Sequence, residues 1–205
     1  MRFLRKSSPG LVPYVDLRYP SRSDRETALA RLVALQSGFC AYSERYLRPL
    51  DSCEIEHFDP RIKGTDQDNI FNWHAVLRWM NAHKARKIEP FLPLPDTDDV
   101  SLDRRIRYDH GEFVCDSSDA EARNLIEFLG VNRPEVTKER SDHVQRVRKL
   151  RDLCAGSGDD FEEFLLDSPE DLSFPSALEG DLEIPAFALI RRLTPERSGL
   201  PENEA

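Results

Sequence analysis

Between residues 40 and 84 the chain carries a Glu-His pair, two asparagines and a lysine at spacings that packing alone does not require. The stretch reads CAYSERYLRPLDSCEIEHFDPR and, a short loop later, NWHAVLRWMNAHK. Two β-prone runs, 38–46 and 52–58, flank a polar turn, and Pro60 ends the second, which predicts a hairpin. Asn72 is a good N-cap, and Trp73, Leu77, Met80, Asn81 and Lys84 follow it at helical spacing, which predicts a helix of about three turns. A hairpin followed by such a helix is expected to set Glu56 and His57 opposite Asn81, with room for a cation between them.

Each of these residues also has a plainer reading. A single Glu-His pair on a strand is usually surface decoration, and Asn72 alone is an ordinary helix cap. Asn81 fits neither packing nor propensity, since asparagine is a mediocre helix former. Lys84 reads equally as a solvated helix end, favoured there by the helix dipole, or as a phosphate contact. Asp66 and Asp68 in the polar loop 64–71 read as solvated loop residues, and His110 as a turn residue.

Taken together, CAYSE at 40–44, EIEHFDPR at 54–61 and NWHAVLRWMNAHK at 72–84 resemble the HNH endonucleases with a ββα-metal core. Within them the chain is most similar to the bacterial antiphage nucleases of Septu-type systems, including the retron-linked ones. That group shows a CxYCE hairpin start, then EIEHFxPK, then NLxxxCxxCNxxK. The resemblance is strongest over this stretch and weaker over the rest of the chain to Cys154. It implies that His57 is the general base, that Glu56 and Asn81 ligate a divalent metal, and that Asn72 braces the loop carrying the histidine. It also implies an ABC-type ATPase as partner subunit.

The chemistry gives its own reasons for these residue types. Hydrolysing a phosphodiester needs a water that loses a proton near neutral pH, which an imidazole accepts well, and a cation to take up charge on the phosphate and leaving oxygen. Carboxylate and amide oxygens suit Mg²⁺ or Mn²⁺, and His83 is the nearby residue that would change the choice of metal. The chain departs from the group where two CxxC pairs hold a structural zinc: here stand Cys40, Ser43, Leu77 and Met80. One thiolate cannot build a tetrahedral zinc site, so no structural zinc is expected and apolar contact among Cys40, Leu77 and Met80 should take over the stapling.

Charge distribution matters more than the net charge of −9. From Gly156 onward there are 13 acids against 3 bases, whereas the rest of the chain has 25 acids and 26 bases. The acidity therefore belongs to the C-terminal quarter, while 61–87 holds six bases against two acids around the proposed site, where phosphates would approach. Four scattered cysteines, no secretory signal and no long apolar run predict a cytoplasmic protein with reduced thiols and no membrane segment.

The remaining elements predict an α+β fold in which helices and a small second hairpin surround the ββα core. Residues 1–22, with five bases and three prolines, read as an extended arm. A helix opens at Ser23 with a capping box to Glu26 and stops at Gly38. A second hairpin turns at His110-Gly111, a helix runs from Ser118 to Gly130, and a charged helix runs from Pro134 to about Cys154 with a basic side read as a solvated face. The expected organisation is a nuclease domain over 1–155, with its core at 38–87, and an acidic C-terminal appendage over 156–205 ending in a disordered or partner-docking tail.

The reading that follows is a metal-dependent endonuclease acting on DNA in an antiphage system, with Lys84 as substrate contact. The alternatives are an RNA endonuclease of the same mechanism, cutting transfer RNA, or a catalytically silent adaptor that keeps the ββα shape.

Overall fold

The computed structural model describes Tyr19 and residues 24–84, 89–93, 101–157 and 160–197. Among them the fold is mixed α+β, with eight α-helices and two small antiparallel hairpins. The expected N-terminal arm, apart from Tyr19, and the tail beyond residue 197 lie outside the described residues.

Helix α1 (Arg25–Leu35) ends at Gly38, whose φ of +88° lets the chain reverse. Ser23 of the expected capping box lies outside the described residues. Gln36, just past α1, is buried and sends its side-chain amide into the first hairpin. It accepts from Ala75 N at 2.8 Å and donates to Ala75 O at 2.8 Å and Phe39 O at 2.7 Å. Without Gln36, Ala75 N would lose this acceptor inside the core, while Ala75 O would keep Ala41 N at 3.2 Å.

The first hairpin differs from the expected one. Strand β1 (Cys53–His57) lies within the second β-prone run, but its partner is β2 (Trp73–Leu77), not the run at 38–46. The earlier run forms a tight loop held by one bridge, Phe39 to Tyr46, with Cys40 N on Arg45 O and Glu44 N on Cys40 O. The helix expected over 72–84 shrinks to α2 (Arg78–Ala82), and Trp73–Leu77 is extended. The physical reason is burial on both faces. Every residue of β2 is buried, His74 included, and a short run buried on both faces has no period that separates strand from helix. Asn72 therefore caps no helix; it closes a 3₁₀ turn, Ile70–Asn72, that feeds β2.

In place of the absent zinc ligands, Cys40, Leu77 and Met80 all sit in the hydrophobic core, and Cys40 Sγ accepts from Leu77 N at 3.4 Å. Ser43 is buried, its Oγ accepting from Arg45 N at 3.4 Å.

After the short helix α3 (Ser101–Arg105) comes the second hairpin, β3 (Arg107–Asp109) with β4 (Glu112–Val114). It turns at His110 and Gly111, both at positive φ, as a two-residue loop requires. Helix α4 (Ala120–Leu129) starts one residue later than read, with Asp119 rather than Ser118 accepting from Ala122 N, and ends on left-handed Gly130. Helix α5 (Pro134–Ser157) starts where expected and runs three residues beyond Cys154.

Of three further helices, α6 (Phe161–Asp167) and α7 (Pro175–Leu182) pack on α5, and α8 (Ala186–Arg197) packs on both of them. Leu165, Phe174, Leu178 and Ile190 belong to the same core cluster as Phe39, Trp73 and Leu125. The basic side of α5 is not simply a solvated face. Arg146 pairs with Asp171, and Arg151 donates to Leu182 O at 2.9 Å, so part of that side holds the acidic segment in place. No helix among the described residues is long and apolar enough to cross a membrane.

Candidate functional site

In β1 successive side chains face opposite sides, so Glu54 and Glu56 share one face while Ile55 and His57 share the other. The register sets Glu56 across from His74 and His57 across from Trp73. Directly opposed residues lie on the same face, so His74 joins the glutamates and Trp73 joins the histidine.

Helix α2 and the turn after it cover the glutamate face. Asn81 Nδ2 donates to Glu54 Oε1 at 2.7 Å, and Lys84 Nζ pairs with Glu56 Oε1. Lys84 also donates to His57 O at 2.7 Å, and its ammonium lies 4.6 Å from the Phe128 ring centroid. Its side chain is only 7% exposed, so it is not a solvated helix end. Burial lowers the pKa of Lys84, and Glu56 offsets part of that by favouring the charged form. Tyr42 is fully buried beside this cluster, and its hydroxyl has no hydrogen-bond partner among the described residues. Burial, reinforced by the charge of Glu56, raises its pKa well above the ordinary phenol value.

The other face holds His57, which is 4% exposed. Its ring lies 4.7 Å from that of Tyr19, and Asp68 Oδ2 approaches its Nε2 at 3.2 Å, off the line of a straight hydrogen bond. Burial lowers the His57 pKa, and the Asp68 charge opposes that shift only in part, so the neutral ring is favoured. Asp68 is no solvated loop residue. It accepts from Gly64 N at 2.8 Å, Asn72 Nδ2 at 3.1 Å and Trp73 Nε1 at 2.7 Å. Burial would raise its carboxyl, but these donors together with His57 hold it below the usual value.

Asn72 ties the two ends of the loop between the strands. Its Oδ1 accepts from Asp59 N at 2.8 Å, its Nδ2 donates to Asp59 O at 3.1 Å, and its own carbonyl accepts from Phe58 N at 2.8 Å. The backbone just after His57 is thereby fixed to the start of β2. His83 turns away, with Nδ1 on Trp79 O at 2.8 Å and its ring stacked 4.3 Å from that of Trp79.

The structure thus brings together Glu56, Asn81 and Lys84 on one face of the hairpin, whereas the His57 ring, expected beside them, turns to the other face, and Asn72 clamps the adjoining strand end. Asn81 and Glu56 do not pair with each other; their partners are Glu54 and Lys84. Of the local bases, Arg61 is paired with Asp59 and Arg78 lies 3.6 Å from Glu54, while Arg86 and Lys87 lie outside the described residues. Among the described residues no three His, Cys, Asp or Glu side chains gather around one point. The glutamate face carries two carboxylates and the Asn81 amide together with the buried His74 ring and the Lys84 ammonium; its carboxylate and amide oxygens are of the kind that suits a hard divalent ion retaining several waters. Glu54 carried a signal, since it stands two residues before Glu56 on the same strand face. Asp68 carried none, because a loop has no period to read.

Comparison of the chain with protein families, with curated proteins and with solved structures found no match.

Proposed function

We propose that the protein is a metal-dependent endonuclease that hydrolyses phosphodiester bonds of DNA, built on a ββα core of the HNH type. The observation that supports this most is the order β1, β2, α2, with the Glu56-His57 pair at the end of β1 and Asn72 clamping the backbone immediately beyond it. Such a clamp holds the histidine-bearing strand end in one position, as proton transfer to an oriented base requires.

His57 takes the proton from the attacking water, and its lowered pKa keeps the ring neutral and ready to do so near neutral pH. Glu56 and Asn81, with Glu54 beside them, would hold Mg²⁺ or Mn²⁺. Such an ion supplies positive charge to the phosphate and the departing oxygen. Lys84 neutralises Glu56 when no divalent ion is bound and would meet a phosphate once that pairing is released. An ABC-type ATPase is the partner we propose to govern the activity in an antiphage system.

The test is a comparison of wild type with His57→Ala on supercoiled plasmid and on transfer RNA, each with Mg²⁺ or Mn²⁺. Nicking of plasmid that falls by at least about 10²-fold in the variant is expected, on the scale of general-base loss. Equal nicking by both proteins would reject His57 as the base. Cleavage of transfer RNA alone would move the substrate to RNA, and cleavage of neither by wild type would favour the silent adaptor.

A further inference from the structure

We infer that Asp68 fixes His57 in the tautomer that carries its proton on Nε2, so that Nδ1 is the nitrogen that accepts the proton of the attacking water. The inference rests on the nuclease reading for what Nδ1 does, but not for which nitrogen is protonated.

A neutral imidazole has one N–H and one bare nitrogen, and the tautomer is set by what the other nitrogen meets. At Nε2 it meets a carboxylate oxygen 3.2 Å away. A lone pair turned toward that oxygen would be repelled, whereas an N–H is attracted even when the approach is off-axis. The two side chains are 5% and 3% exposed, so little water is present to weaken the preference.

The carboxylate cannot swing aside. Oδ1 receives Asn72 Nδ2 and Trp73 Nε1, and Oδ2 receives Gly64 N. The ring is confined as well, by Tyr19 at 4.7 Å on one side and by its place against Trp73 across the strands. Asn72 then serves two ends: one set of bonds fixes the backbone after His57, and another fixes the carboxylate that orients the ring. Asp68 is in these terms a positioning residue, acting on the reaction through His57.

The experiment reads the ring nitrogens of His57 directly, in the full-length protein labelled with ¹⁵N, at mildly alkaline pH and without substrate or metal. The His57 signals are assigned by their loss in His57→Gln. The expected wild-type spectrum has Nε2 protonated and Nδ1 bare. In Asp68→Asn the side-chain amide faces Nε2 as a donor, and the protonated nitrogen should become Nδ1. Plasmid nicking by that variant should fall at least about 10²-fold in kcat with KM nearly unchanged, since in serine proteases the same substitution beside a catalytic histidine costs about 10⁴-fold through the wrong tautomer.

A wild-type ring protonated on Nδ1 overturns the inference, and so does an Asp68→Asn protein that nicks at the wild-type kcat. Should Asp68→Asn fail to fold, the wild-type spectrum decides alone. Because that spectrum needs no cleavage, a protein that cuts nothing would sink the nuclease reading while leaving the tautomer answered either way.

Discussion

Lys84 shows how far a single side chain can depart from what its position suggests. At the end of a helix a lysine normally reaches solvent, yet this one lies under Phe128 with its charge spent on Glu56 and on two backbone carbonyls. Breaking a buried pair by removing one partner leaves the other charge uncompensated, at a cost of about 3–5 kcal/mol. Glu56 keeps 13% side-chain exposure, so the lower end of that range applies. Lys84→Met is therefore expected to lose about 3 kcal/mol in urea unfolding without divalent ions. Under the proposed function Mn²⁺ should then raise its Tm more than it raises that of wild type, because no ammonium has to leave Glu56 first. A larger Mn²⁺ shift in wild type would show that Glu56 is not where the ion binds.

Among the elements, the pieces with a period or a cap were legible, and those whose identity depends on distant partners were not. Helix α4, with its apolar spacing and closing Gly130, and the hairpin turning at His110-Gly111 follow from local chemistry. Trp73–Leu77 has no such local determinant. The same residues satisfy a helical stripe, and they become a strand because β1 pairs on one edge while Gln36 and Ala41 bond Ala75 on the other. The site inherits that division: Glu56, His57 and Asn72 were legible as a motif and Glu54 by its spacing from Glu56, whereas Asp68 gained meaning only once the loop closed. Gln36 makes the dependence testable. Gln36→Leu keeps the volume but strands Ala75 N in the core, and an unsatisfied buried group costs about 1–3 kcal/mol. Unfolding should show a loss in that range, with faster hydrogen exchange at the Ala75 amide. Unchanged exchange there would mean that β2 does not need the glutamine to hold its edge.

At the scale of the whole molecule, the acidic C-terminal segment is joined to the loop that precedes the site. Ser176 Oγ donates to Glu44 Oε1 at 2.9 Å, Phe174 N donates to Glu44 O at 2.8 Å, and Tyr46 N donates to Ser173 Oγ at 3.1 Å. Glu44 adopts a φ of +64°, a left-handed conformation that costs a non-glycine residue energy and persists only when its surroundings impose it. Farther along, Tyr108 donates to Asp181 Oδ2 at 2.5 Å, and the buried Arg140 guanidinium lies 4.9 Å from the Phe113 ring centroid and 6.0 Å from that of Phe174. The apolar side chains of α7 and α8 complete the core around these contacts. A boundary near residue 156, drawn from the change in charge, therefore separates compositions more than it separates packed units. Removing 160–205 should expose the buried side of α5, where Val144 and Val147 lie, and release the loop 39–46. The expected outcome is a chain that aggregates on expression or lacks a cooperative thermal transition. A soluble fragment 1–159 that melts cooperatively near the wild-type Tm would instead establish the segment as an appendage docked on a self-sufficient domain.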